Sequence, residues 1–543
     1  MKHTSHAVSW RVGVCLPVVL AAATGARAQA PHADHPLGKV DFRVSCSARA
    51  QVEFNRAAAL LHHMTYPQAR EAFQEVTTID PGCAMAHWGI AMTLFQPLWP
   101  TRPDLAQRQR GWDAVQKAKA LQPPTERERL FVAAAEAFFV DPQATDYWAR
   151  IRRWEQASER LSAAFPDDPE ASTFYALAHL ATTPADVVSR AHADRAAEIL
   201  LRVYERAPDH PGAMHYLVHA NDVPGREREL LEITRKYDAA APRNPHALHM
   251  PTHIYTRLGD WNAVIAGNLK AAEAALEYPA GDQGQYVWAE FPHAIEYLVY
   301  ANLQRGLDRD AAAELQRLQT TARLEPTFKT AFHLASTQAR DLLERRAWAD
   351  AAAIVPGEPA TRFPWSEAIV RFTRGMGAIH VGNVSDATAA GQRLEALEAA
   401  TRQIGEELFA RNIRMLRLEL NAWVAHAGGE RDASVRLMQE AADLEVSTPK
   451  HPVTPGPTLP AHELLGDLLL DQKRPTEALA AYKRSLELYP RRFNSLLGRA
   501  RAARALGDVA TARTYYGELL DVGTGGTRPV ALDEARAFSA GPR

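Results

Sequence analysis

The segment between Pro208 and Gly259 states one pattern twice. Pro208, His215 and His219 recur as Pro242, His249 and His253, each 34 positions later. The stretches between the prolines are rich in alanine and leucine, with few β-branched runs, which suits helix. A 34-residue register fits one helix, a turn and a second helix. Such a hairpin cannot bury its apolar face alone, so copies must stack on their neighbours. The expectation is an all-α chain, a right-handed superhelical solenoid of helical hairpins that contains no sheet.

The register extends along the chain. Ala57, Ala69, Phe73 and Pro81 fall at positions 8, 20, 24 and 32 of an early repeat, and Gly466, Ala478, Tyr482 and Pro490 fall there in a late one. Ala500, Ala512 and Tyr516 repeat the first three of these. Small and aromatic residues at these places are where the two helices of a hairpin touch. Met64-Thr65-Tyr66-Pro67, Gly259, Gly306, Gly382 and Gly428-Gly429 mark turns. The organisation read from this is a hairpin array over 49–345, weaker hairpins over 346–448, and strong repeats over 461–543. Between the last two lies a proline-rich loop, residues 449–460, stiff enough to act as a lid. Pro97-Leu98-Trp99-Pro100 forms a shorter loop. Trp88 and Phe95, at inner positions of the second repeat, are expected as packing or as an apolar floor for a ligand.

The N-terminus reads as a processing segment. Lys2 and Arg11 precede the apolar stretch Val12 to Ala23, and Ala26-Arg27-Ala28 and Ala28-Gln29-Ala30 are small-x-small sites. A Sec-type signal peptide over 1–30 implies a periplasmic or secreted protein with an extended lead-in over 31–48. No later stretch is apolar enough to span a membrane. Export leaves Cys46 and Cys83, each just before the first helix of neighbouring repeats. An oxidising compartment and that placement favour a disulfide over two separate buried thiols. Charge is balanced, with 62 Lys and Arg against 64 Asp and Glu, so no basic face for nucleic acid is implied.

In a stack of this kind, positions 2, 5, 9 and 12 of each first helix face the concave groove. His215 and His249 are both position 5, and His219 and His253 both position 9. His246 and His293 are position 2 of their repeats, Asp222 is position 12, and Glu296 is position 5 of the repeat after His253. Two histidines four apart share a helix face and can reach one cation. Adjacent first helices about 10 Å apart let imidazoles meet a metal between them. His215, His219, His249 and His253 are therefore the candidate ligands. Asp222, His246, His293 and Glu296 are candidate further ligands or supporting partners. Nitrogen donors with a carboxylate suit zinc, iron, copper, nickel or manganese. His333 reads as ordinary groove surface, His179 as a core histidine and His462 as structural. There is no phosphate-binding glycine loop, no serine nucleophile motif and no cysteine in a nucleophile's context, so no catalytic residue is assigned.

On these residues the chain resembles the tetratricopeptide-repeat superfamily over most of 49–543. More narrowly it is similar to a group of exported bacterial tetratricopeptide-repeat proteins with paired histidine motifs. Cys83-Ala84-Met85-Ala86-His87-Trp88-Gly89 matches that group's motif after the first repeat, and Cys46 matches its upstream cysteine. His215-Tyr216 with His219-Ala220, and His249-Met250-Pro251-Thr252-His253-Ile254-Tyr255, match its two histidine motifs. The group tends to carry an acid where Asp222 stands and a histidine where Glu296 stands, so Glu296 departs from the pattern. The resemblance implies fold and export and brings no reaction with it.

Two functions fit the sequence. One is a groove that binds a partner protein, peptide or small ligand, with the histidines as polar lining. The other is a metal-binding protein or metalloenzyme with a divalent transition metal. They differ in geometry: the second needs the imidazoles converged on a point in a pocket closed by the 449–460 loop, and the first allows them spread along an open groove.

Overall fold

Helices turn back on one another where the proline and glycine punctuation places the turns. The computed structural model describes residues 35–281 and 283–540. The expected signal peptide lies outside them. From His35 the described chain stays non-helical until Ala48, where the Ser47 side chain caps the first helix, Ala48–His62, by accepting from the Ala50 N–H. His62 and the next helix, Tyr66–Ile79, are joined through Met64 at φ 55°. Gly259, Gly306, Gly382 and Gly429 all adopt positive φ between helices. The region 346–448 continues as hairpins, with Pro364–His380 against Val384–Gln403 and Glu407–Ala427 against Arg431–Ser447. Helices pack against their sequence neighbours throughout, as an all-α solenoid requires.

The repeat positions make the contacts that their spacing implies. Tyr482 lies between Gly466 and Gly498, and a Cβ on either glycine would stand 2.7 and 2.2 Å from the tyrosine ring. Trp88 and Phe95 are packing: Trp88 sits among Phe42, Phe131 and Phe174, and Phe95 stacks on Phe138 at 4.0 Å. Cys46 and Cys83 are disulfide-bonded, with Cα atoms 5.1 Å apart.

One expectation needs correction. Pro279–Ala280 pairs antiparallel with Tyr286–Val287, and Val287 bridges Leu324. Pro279 cannot continue the preceding helix, and Gly281 at φ 85° lets the chain reverse. The two extended segments then satisfy each other's backbone groups.

The array also closes on itself. The Trp261 indole donates to the Arg491 carbonyl at 2.9 Å, and the Thr527 N–H donates to the Gly306 carbonyl at 2.7 Å. Arg492, fully buried, reaches Glu344 at 2.7 Å, Glu463 at 3.0 Å and the Tyr300 hydroxyl at 3.0 Å. The loop 449–460, without helix, is laid across the middle of the chain. Arg340 holds it by donating to the carbonyls of Pro457 and Gly456 and to the Thr454 hydroxyl.

Candidate metal centre

Two first helices start alike. His210 caps Pro211–Asn221 and Asn244 caps Pro245–His249, each side chain accepting from the backbone three residues on, and each followed by proline. The shared start puts the histidines in register. Gly212 lets the first of these helices lie close to the helix Ala48–His62, since a Cβ there would stand 2.4 Å from His62 Nδ1. The second helix breaks at Met250 because Pro251 has no N–H to bond back one turn. Met250 keeps helical angles, φ −54° and ψ −42°, so His253 in Pro251–Leu258 still lies beside His249. His293 comes from Glu290–Gln304 of the next repeat.

These helices gather six imidazoles into two triads, His215/His219/His246 and His249/His253/His293. Within each triad the candidate ligand atoms lie within 4.8 Å of one another. None lines an open groove: exposure runs from 0% at His215 and His249 to 9% at His219. The loop 449–460 covers them through Lys450, which meets Asp222 at 2.7 Å, and through Thr454, whose carbonyl accepts from Tyr297 at 3.2 Å. Trp99, from the loop Pro97–Pro100, lies with its ring 5.6 Å from that of His246.

Partners on the far side of each ring decide where its proton sits. His215 Nδ1 bonds the His62 carbonyl at 2.5 Å, and His246 Nδ1 bonds the Glu290 carboxylate at 2.9 Å. His249 Nδ1 bonds Asn268 Oδ1 at 2.7 Å, and the Asn268 amide is oriented by its own donation to the Val264 carbonyl. His253 Nδ1 bonds Asp222 at 2.9 Å. All four partners are acceptors, so each Nδ1 carries the hydrogen and each Nε2 is left as a bare lone pair. Those bare atoms face each other: His215 and His246 Nε2 at 3.0 Å, His249 and His253 Nε2 at 3.0 Å. His219 Nε2 stands 3.1 Å from His215 Nε2, while Nδ1 of His219 and of His293 is buried without a partner.

A second proton is disfavoured on five of these rings. Burial, then the neighbouring imidazoles, push His215, His219 and His249 well below the usual histidine range. Burial and then Lys329 do the same to His293, and burial lowers His253 to about 4 despite its bond to Asp222. The supporting carboxylates stay ionised. Burial opposes this, but Lys450 and Arg257 hold Asp222 well below the usual range, and Lys329 and His246 hold Glu290 there.

A third group, His62/Glu170/His210, makes the contrast. His62 Nε2 and His210 Nε2 donate to the two oxygens of Glu170 at 2.8 and 3.0 Å. His62 Nδ1 accepts from the Tyr216 hydroxyl, and His210 Nδ1 accepts from the Ala213 N–H. Every ring nitrogen there has its complement in neutral imidazoles, so this group needs no ion. It fixes the helix end whose His62 carbonyl orients His215.

The four expected histidines and the supporting His246 and His293 are therefore together, with Asp222 bonded to His253 as a positioning group. Glu296 is not with them. It accepts from His333 at 2.5 Å, Ser336 at 2.7 Å and Arg340 at 2.9 Å, partners that outcompete a place in the chamber. His333 is corrected too: it is fully buried rather than groove surface, its ring 4.7 Å from that of His293, with Nε2 free of any partner. His179 is half-buried rather than core, bonded to Glu155 at 2.9 Å and stacked on His192. His462 packs, as expected. Sequence reasoning missed Glu290, Asn268 and the His62 carbonyl, which lie in other helices at no telling interval.

A pocket of about 130 Å³ opens onto this chamber at His219 and Asp222. Trp148, Leu180, Val223 and Phe409 form its apolar wall, and Arg102, Arg257 and Lys450 lie at its polar side. That volume is comparable to cavities known to hold a single aromatic ring.

Residues 460–529 match the family model of the tetratricopeptide repeat. Among solved structures, a human IFIT1 dimer with m7Gppp-AAAA is 12% identical at a TM-score of 0.38, over 81% of this chain and 90% of that one. The Cut9–Hcn1 hetero-tetramer of the APC/C is 15% identical at a TM-score of 0.31, over 91% and 96%. Likeness at these scores carries no inference about function. A search of curated proteins finds no match. No helix among the described residues is long and apolar enough to cross a membrane.

Proposed function

We propose that this chain, which matches the tetratricopeptide repeat over residues 460–529, is a metalloprotein whose inner helices hold transition-metal ions in two histidine triads. One observation carries this reading: two pairs of Nε2 atoms face each other at 3.0 Å, and in neutral rings that hold their hydrogen on Nδ1 both atoms of each pair are lone-pair donors. Bare lone pairs at that distance repel, and burial disfavours the proton that would relieve the His249–His253 pair. A cation coordinated by both does relieve them. The donors are imidazoles without thiolate or carboxylate, which favours copper or zinc, then iron, over manganese. Three protein ligands leave a coordination position open, as in sites that activate water or dioxygen. The pocket at His219 supplies the approach for a small ligand. A partner polypeptide could not reach these imidazoles, and its binding would have to use other surfaces of the repeats.

We also place the protein outside the cytoplasm. The N-terminal signal features and the Cys46–Cys83 pair support that reading.

The test is metal content by mass spectrometry on protein purified without chelator, beside a His215→Ala/His249→Ala variant. We expect stoichiometric transition metal in the parent and its loss in the variant, with helical circular dichroism unchanged. Absence of metal from the parent, after zinc, copper and iron have each been offered, would overturn the proposal.

A further inference from the structure

The triads approach each other as closely as the widest-spaced pair within one of them. Across the boundary, the rings of His219 and His253 are 5.9 Å apart and those of His246 and His249 are 6.2 Å apart. Within the second triad, His253 and His293 are 6.3 Å apart. An ion in each triad would therefore have the other as a near neighbour, as in two-metal sites, whose ions lie about 3.5–4 Å apart. Resting on the metal reading above, we propose that the two triads form one binuclear centre whose ions share a bridging hydroxide.

Charge makes the bridge necessary. Six neutral imidazoles contribute nothing against two divalent ions. The nearby carboxylates are already matched by buried cations: Asp222 by Lys450 and Arg257, Glu290 by Lys329, Glu296 by Arg340. Two bare cations this close in a low-dielectric interior would repel strongly. A small oxygen anion between them lowers that repulsion and fills the open position of each triad. It forms from water that enters by the pocket at His219: one O–H bond breaks, the hydroxide oxygen binds both ions, and the proton leaves to solvent. The pocket's volume and its Arg257 and Lys450 suit other small oxygen anions as competitors for the same place.

The experiment uses the full chain loaded with Cu(II) in air, with total copper and the electron paramagnetic resonance signal measured on the same sample. Two bound equivalents are expected, with a signal that integrates to a small fraction of that copper, because a single-atom oxygen bridge couples the spins. His293→Ala opens one triad, and since its Nδ1 bonds nothing it strands no neighbour. His219→Ala opens the other; its Nδ1 bonds nothing, and its Nε2 meets only His215 Nε2, at 3.1 Å. In each, binding should fall to one equivalent and the full signal should return, which also rules out copper reduction as the cause of its loss. Two equivalents with a full signal in the parent, or one equivalent only, would overturn the bridged centre and leave the metal reading standing. No bound copper, zinc or iron would overturn both.

Discussion

At the scale of single residues, the chamber is governed by where hydrogens sit. An acceptor behind a ring holds its hydrogen on Nδ1 and turns the other nitrogen into a ligand. Asn268 does this for His249 without charge, so it isolates the effect. Asn268→Leu should weaken metal binding about 10- to 100-fold while the fold persists, checked by chelator competition and by circular dichroism. Equal affinity in the variant would mean that His249 needs no outside hold. The paired histidines were legible because a 34-residue interval repeats in the string itself. His246 and His293 were legible by position, as further ligands or supporting partners. Glu290 and Asn268 were not, because a partner chosen across helices leaves no interval to read. Glu296 misled for the opposite reason: its position faces inward, but Arg340 and His333 lie closer to it than the chamber does.

At the scale of elements, close approach between helices depends on missing side chains. Tyr482 fills the space that Gly466 and Gly498 leave, so the late hairpins nest at van der Waals distance. Gly498→Ala, with its Cβ 2.2 Å from the ring, should cost about 1–3 kcal/mol, seen as a lower midpoint in chemical denaturation. An unchanged midpoint would show that the tyrosine can swing away freely. These contacts were predictable, since the alternation of small and aromatic positions is a rule of the hairpin. The antiparallel pair at Pro279–Ala280 and Tyr286–Val287 was not, because two-residue strands leave no periodicity.

At the scale of the whole molecule, the array's return onto its own middle is what the string could least reveal. Closure sums small rotations over many repeats, and no local pattern records the sum. The same packing strands titratable groups between helices. Burial pushes the Glu445 carboxyl up to about 7 from its ordinary 4.5. The folded chain thus keeps a proton that the unfolded chain gives up earlier. The stability from this group is complete below about pH 4.5 and is lost as pH rises through about 7. Glu445→Gln does not titrate, so it should gain on the order of 2–3 kcal/mol over the parent between pH 5 and pH 8, measured by denaturation at both. A constant difference between the two proteins would contradict it. Closure also sets an order of events. All six imidazoles lie before residue 294, yet Lys450, Thr454 and the rest of the loop that covers them come from far later in the chain. During synthesis the ligands are therefore present long before the enclosure is, and that interval is when an ion could enter without passing through a narrow pocket. Under the metal reading proposed above, exchange after the last repeats dock would be governed by the opening of the fold rather than by the strength of the metal–nitrogen bonds.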